Sequence, residues 1–133
     1  MVHVPVEFQL LMAAVIIGLV QLIWAATAGA TGVRDPAWLL GPRDDPRPMS
    51  GAAARLDRAF KNFLETFPLF AVALISTYIA GKLGPLTMYG SALYVICRAI
   101  YAPLYVSGIA VVRTVVWTAS MVGIAMIILA FFR

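Results

Sequence analysis

Apolar residues run unbroken through much of the chain, and polar residues gather between the runs. Residues 8–30 carry no charge and are long enough to cross a bilayer, which takes about 20 apolar residues. The stretch from Thr31 to Met49 holds Pro36, Pro42, Pro46 and Pro48, together with Gly41 and Arg43-Asp44-Asp45. It reads as an irregular loop. Ser50 can cap a second helix, its hydroxyl accepting from the first free backbone N–H groups. That helix is expected to run to about Ala80, with its apolar part at about 56–80. Pro68 lies inside it and predicts a kink, which membrane helices tolerate. Gly81-Lys82-Leu83-Gly84-Pro85 predicts a tight turn. A third span is expected over about 86–105 and a fourth over about 109–132, joined at Val106-Ser107-Gly108. The expectation is an all-α integral membrane protein of one domain, residues 1–133. It is a four-transmembrane-helix bundle with one long loop at about 31–54.

Composition agrees. Of the 133 residues, 62% are apolar and only 12% charged, against about 25% charged in a soluble domain. The mean hydropathy is +0.93. This excludes a disordered chain, a nucleic-acid-binding basic domain and an ordinary cytosolic enzyme. Residues 1–7 lack Lys and Arg, and the apolar run after them is too long for a signal-peptide core, so no cleaved leader is expected. With a single cysteine, Cys97, no intrachain disulfide can form. Cys97 is expected to pack, His3 to be solvated, and Glu7 to sit at the edge of span one. The Met and Trp residues fit packing or interfacial roles. No metal-ligand cluster is legible in the spacing.

The net charge of +4 is unevenly placed. Arg34, Arg43, Arg47, Arg55, Arg58 and Lys61 lie between spans one and two. Arg98 and Arg113 flank the connection between spans three and four, on the same side. The positive-inside rule then predicts a cytoplasmic long loop, with both termini outside.

Two polar stripes interrupt the apolar pattern. Arg55, Arg58, Asn62 and Glu65 step by three, four and three, so they share one helical face. Tyr94, Arg98, Tyr101 and Tyr105 step by four, three and four, and share another. A lipid-facing Arg or Glu would cost a few kcal/mol or more. These faces are therefore expected to meet each other, another subunit or a polar cavity, and an Arg98–Glu65 ion pair is geometrically reasonable. Taken singly, Asn62 and Glu65 fit a helix-packing network, and Tyr105 fits an interfacial belt. Taken together, the arginines and tyrosines resemble a site for an anionic ligand.

The segment Arg58-Ala59, Asn62, Glu65 and Phe67-Pro68 resembles the signature of the membrane-associated proteins in eicosanoid and glutathione metabolism, the MAPEG family. The run Arg98-Ala-Ile-Tyr101-Ala-Pro-Leu-Tyr105 is similar to that family's Arg-x-x-Tyr-x-x-x-Tyr, and the loop Gly41 to Pro46 looks like its bacterial branch. The resemblance implies a homotrimer in a bacterial inner membrane, with glutathione as co-substrate bound between subunits. It implies that Arg58, Asn62, Glu65, Arg98, Tyr101 and Tyr105 bind glutathione and that Arg113 is catalytic, stabilising the thiolate. Two positions depart from the family pattern. The end of span one, Ala25 to Val33, carries no basic residue, and Thr66 stands where some members have an aromatic.

The function expected first is that of a microsomal-type glutathione S-transferase. Such an enzyme is a membrane-bound, glutathione-dependent transferase or peroxidase acting on hydrophobic electrophiles that arrive from membrane lipid. The alternative is a catalytically silent MAPEG-fold protein whose groove binds a lipid or a membrane partner protein. A small multidrug exporter comes third, because the first span lacks the acidic residue that class needs.

Overall fold

A computed structural model describes all 133 residues, as five helices and no strands. α1 spans Val6–Ala30, α2 Pro36–Leu40, α3 Gly51–Ile79, α4 Pro85–Ser107 and α5 Ala110–Phe132. The four long helices correspond to the four apolar segments of the sequence. Of these, α1, α3 and α5 are each long and apolar enough to cross a membrane. α4 matches α5 in length, at 23 residues, but polar Ser91 and Arg98 interrupt it. Much of the outer surface is apolar: Ile16, Leu69, Val72, Val111 and Leu129 are all exposed. That is the surface of a bundle surrounded by lipid.

The loop after α1 is more ordered than its prolines predict. Asp35 caps α2 by accepting from the Trp38 backbone N–H at 2.8 Å, with Pro36 at the first helical position, where no N–H is needed. Trp38 donates its indole N–H to the Asp45 carbonyl at 2.6 Å. The guanidinium groups of Arg34 and Arg43 stack over its ring at 5.3 and 5.6 Å. Arg47 bridges Asp35 at 3.1 Å. The Trp38 N–H, and then Arg47, hold the Asp35 carboxyl below its ordinary range. Ser50 is the N-cap residue of α3, with extended backbone, but contrary to expectation its hydroxyl makes no capping bond.

Packing follows small residues. Gly18 of α1 lies against the Phe63 ring, where a Cβ would sit 2.6 Å from the ring edge. On α4 and α5, Gly90 and Gly123 bring the two backbones together. A Cβ on Gly123 would meet the Gly90 carbonyl oxygen at 2.6 Å and the Tyr94 nitrogen at 2.9 Å. Around this contact Ala14, Phe70, Leu74, Tyr94, Ile124 and Ile127 form the main core. The Tyr94 ring stacks on Phe70 at 4.2 Å, and its hydroxyl lies 3.0 Å from the Thr66 hydroxyl. Thr66 thus supplies a buried hydrogen-bond partner where an aromatic would not. At the start of α4, Thr87 accepts from the Gly84 N–H at 2.8 Å and donates to the Glu7 carboxylate at 2.7 Å. Glu7, in the first turn of α1, is buried, and this bond ties α1 to α4.

The glycine contact gives a prediction. Gly123→Ala should destabilise the detergent-solubilised protein by about 1–3 kcal/mol, because backbone cannot yield to the new methyl. Gly84→Ala, whose Cβ would meet nothing within 4 Å, should be close to neutral. Thermal unfolding of the two variants tests this, and equal melting would remove the backbone contact from the account.

Candidate functional site

The polar stripe of α3 lies at the start of that helix, while Tyr101 and Tyr105 lie at the end of α4. Gly108 connects α4 to α5 in the left-handed region at φ 77°, which glycine adopts without a Cβ penalty. The chain reverses there within two residues, and Arg113, one turn into α5, falls beside Tyr105. Together these elements enclose an open cleft of about 430 Å³. Its walls are Arg58, Lys61, Asn62 and Glu65 from α3, Tyr101 and Tyr105 from α4, and Arg113, Thr114 and Trp117 from α5.

Tyr105 organises the cationic wall. Its hydroxyl accepts from the Arg58 Nε at 3.2 Å. The guanidinium of Arg113 stands over its ring at 4.5 Å from the centroid, and the Tyr101 ring meets it edge-on at 5.7 Å. Arg55 lies outside the cleft and donates to the Val106 carbonyl at 3.2 Å, pinning α3 to the end of α4. Lys61 pairs with Asp57 on its own helix at 2.9 Å.

Six of the seven residues singled out in the sequence line this one cleft: Arg58, Asn62, Glu65, Tyr101, Tyr105 and Arg113. Arg98 does not line it. It is fully buried, and its guanidinium lies behind Tyr101, 4.2 Å from that ring's centroid, with Phe63 at 5.9 Å. The Arg98–Glu65 ion pair is not formed. The ion pairs are Arg47 with Asp35 and Asp45, and Lys61 with Asp57. The rings of Tyr101 and Phe63 take the positions beside Arg98, while Glu65 turns to the cleft. Tyr94, on the same predicted stripe, belongs to the core. Lys61, Thr114 and Trp117 were missed by sequence reasoning. Lys61 follows Arg58 by three and precedes Glu65 by four, and Trp117 follows Arg113 by four, so helical spacing did carry a signal for both.

The chain matches the MAPEG family over residues 10–133. It belongs to that family. Membership and the apolar helices make it an integral membrane protein, within a family that generally uses glutathione. No curated protein matches the chain. In this MAPEG protein Arg58, Lys61, Asn62 and Glu65 of α3 and Tyr101 and Tyr105 of α4 converge with Arg113 of α5. No residue of α1 lines the cleft. Arg34, the first arginine past α1, is committed to the loop: it donates to the Arg47 carbonyl at 3.2 Å and stacks on Trp38.

Variants of Tyr105 separate its two roles. Tyr105→Phe removes the acceptor for Arg58 and should cost about 0.5–1.5 kcal/mol, the net worth of one hydrogen bond. Tyr105→Ala should cost more, because the contacts with Tyr101 and Arg113 go as well. Unfolding in detergent measures both. Equal losses would mean that the ring contributes nothing.

Proposed function

We propose that this MAPEG protein is a membrane-bound, glutathione-dependent transferase or peroxidase acting on hydrophobic electrophiles. The observation that carries the reading is the charge pattern of the cleft. Arg58, Lys61 and Arg113 stand against a single carboxylate, Glu65. Glutathione in its thiolate form offers the complement: two carboxylates, one thiolate and one ammonium. Glu65 suits the ammonium, Arg58 and Lys61 suit the carboxylates, and Asn62, Tyr101 and Tyr105 supply hydrogen bonds to the peptide. The Lys61–Asp57 contact does not forbid this, since an exposed i,i+4 pair is worth only about 0.3–0.5 kcal/mol. Lys61 also offers a cation that α1 does not.

Arg113 takes the thiolate. A free thiol has a pKa of about 8.5, and an adjacent guanidinium favours the charged form. The sulfur then attacks an electrophile that enters from the lipid beside Trp117. In a transferase a carbon–sulfur bond forms and the leaving group departs with the electron pair. In a peroxidase the sulfur attacks a peroxide oxygen, the O–O bond breaks, and the alkoxide leaves with the electron pair and takes up a proton. A second glutathione then reduces the sulfenic acid, giving glutathione disulfide and water. No protein nucleophile is required.

The cleft is proposed to close between subunits. Arg58 and Glu65 are exposed on the protomer, beside exposed Leu64 and Leu69. In lipid such charges need a covering neighbour or water, and a homotrimer with four spans per subunit supplies one. The basic loop and the cleft face the cytoplasm of a bacterial inner membrane, by the positive-inside rule and the loop's likeness to bacterial members. A second reading, a silent MAPEG-fold protein holding a lipid or membrane partner in the same cleft, is favoured by the lack of any α1 residue in it.

Calorimetry with glutathione, combined with ultraviolet detection of the bound thiolate as pH is varied, decides between them. The enzyme reading expects binding, with thiolate present below the pH of free-thiol ionisation. No binding at millimolar glutathione would leave the silent scaffold. Arg113→Ala should lower turnover about ten- to a hundredfold while glutathione affinity changes far less. Equal losses in both would remove Arg113 from the thiolate.

A further inference from the structure

Arg98 is the one charged side chain with no accessible surface. None of its three guanidinium nitrogens has a hydrogen-bond partner. Arginine is not deprotonated in proteins, so this is a full positive charge enclosed by protein. A buried charge of this kind needs a counter-charge nearby. A sister subunit cannot touch it, because nothing of it reaches the surface.

The counter-charge can be sought by elimination. The chain has six acidic residues. Glu7 is bonded to Thr87 at the opposite end of α4. Asp35 and Asp45 face Arg47 in the loop, where Asp44 also lies, exposed. Asp57 holds Lys61. Glu65 lines the cleft and forms no ion pair with Arg98, the ion pairs being Arg47 with Asp35 and Asp45, and Lys61 with Asp57. Gln21 Oε1 and Asn62 Oδ1 are buried oxygens without donors, but they are neutral and lie outside hydrogen-bonding distance of Arg98. No group of the protein neutralises it.

Arg98 and the cleft have one residue in common, Tyr101. The guanidinium packs 4.2 Å from the centroid of Tyr101, and Tyr101 is itself a wall of the cleft. We infer that the counter-charge of Arg98 is the anion bound in the cleft, so that this residue drives ligand binding through its field without touching the ligand. Arg98 is thus a positioning charge. An anion on the far side of the ring, about 8 Å away, gains roughly thirtyfold in affinity from such a charge at an effective dielectric of about 20. Linkage makes the effect reciprocal: the empty protein carries an uncompensated charge, and the ligand relieves it. The inference deepens the glutathione reading and rests on the cleft being an anion site.

The test compares wild type, Arg98→Met and Arg98→Lys in detergent, by melting without ligand and by calorimetry. The probes are glutathione, its carboxylate diethyl ester and inorganic sulfate. Arg98→Met should weaken glutathione binding roughly thirtyfold and ester binding much less. Its melting without ligand should hold or rise, because an apolar group replaces an unpaired buried charge. Arg98→Lys should recover most of the affinity. The inference is overturned if Arg98→Met fails to fold, if it melts lower with unchanged glutathione affinity, or if acid and ester weaken alike. Wild type that binds glutathione without help from Arg98 leaves the glutathione reading standing and ends this one. Binding of sulfate but not glutathione, lost in Arg98→Met, does the reverse. Wild type that binds neither ends both.

Discussion

The contact between Gly90 and Gly123 is the constraint on which the site depends. With no Cβ on either residue, the α4 backbone lies directly against that of α5, closer than any side chain would allow. In lipid there is little hydrophobic drive between helices, so close packing of small residues does the work. Once the two helices are fixed along their length, the left-handed Gly108 turn can only bring the end of α4 against the start of α5. Tyr105 then stands under Arg113, and α3 completes the cleft from the third side. A shift of α5 along α4 would move Arg113 away from the ring it rests on, with no change in the polar residues themselves.

The bundle is divided into two ends of different character. One end holds an apolar core with a few polar groups, among them two hydrogen-bonded pairs, Thr87 with Glu7 and Thr66 with Tyr94. The other end gathers cations without counter-charges: Arg58 has the Tyr105 phenol, Arg113 the face of the same ring, and Arg98 the rings of Tyr101 and Phe63 but no hydrogen bond. Lipid penalises this arrangement, since an unpaired polar group there finds no water. A chain selected for stability alone would carry acids beside these arginines or replace them. The excess of donors over acceptors is therefore best understood as a preference for an anion from outside the protein. The proposed chemistry uses that same preference to favour a thiolate over a thiol.

The loop between α1 and α3 shows the opposite design. Arg34, Arg43 and Arg47 are spent on Trp38, on backbone carbonyls and on Asp35. They build a small ordered unit around α2 and none of them lines the cleft. No residue of α1 reaches the cleft, and its cations come from α3, as Arg58 and Lys61, and from α5, as Arg113.

The sequence by itself determined the four long helices, because long, mostly apolar segments separated by Gly- and Pro-rich turns have few other stable forms in a membrane. It determined the family, through the spacing of Arg58, Asn62 and Glu65 and of Arg98, Tyr101 and Tyr105. It also indicated that these polar faces would meet each other, another subunit or a polar cavity, since lipid penalises leaving them exposed. Only the tertiary structure decided which members of each stripe reach the cleft. Residues three or four apart share one helix face along its whole length, but the cleft opens at only one end of α4. Tyr94 and Arg98 lie deeper along that face, in the packed part, and Tyr101 and Tyr105 lie toward the end that lines the cleft. The short α2 was illegible because its capping bond and its tryptophan clasp span residues 34 to 47, which prolines obscure. The burial of Glu7 depended on Thr87, eighty residues away. The expected Arg98–Glu65 pair failed for the same reason: depth along a helix can be counted from sequence, but the direction in which a neighbour stands cannot.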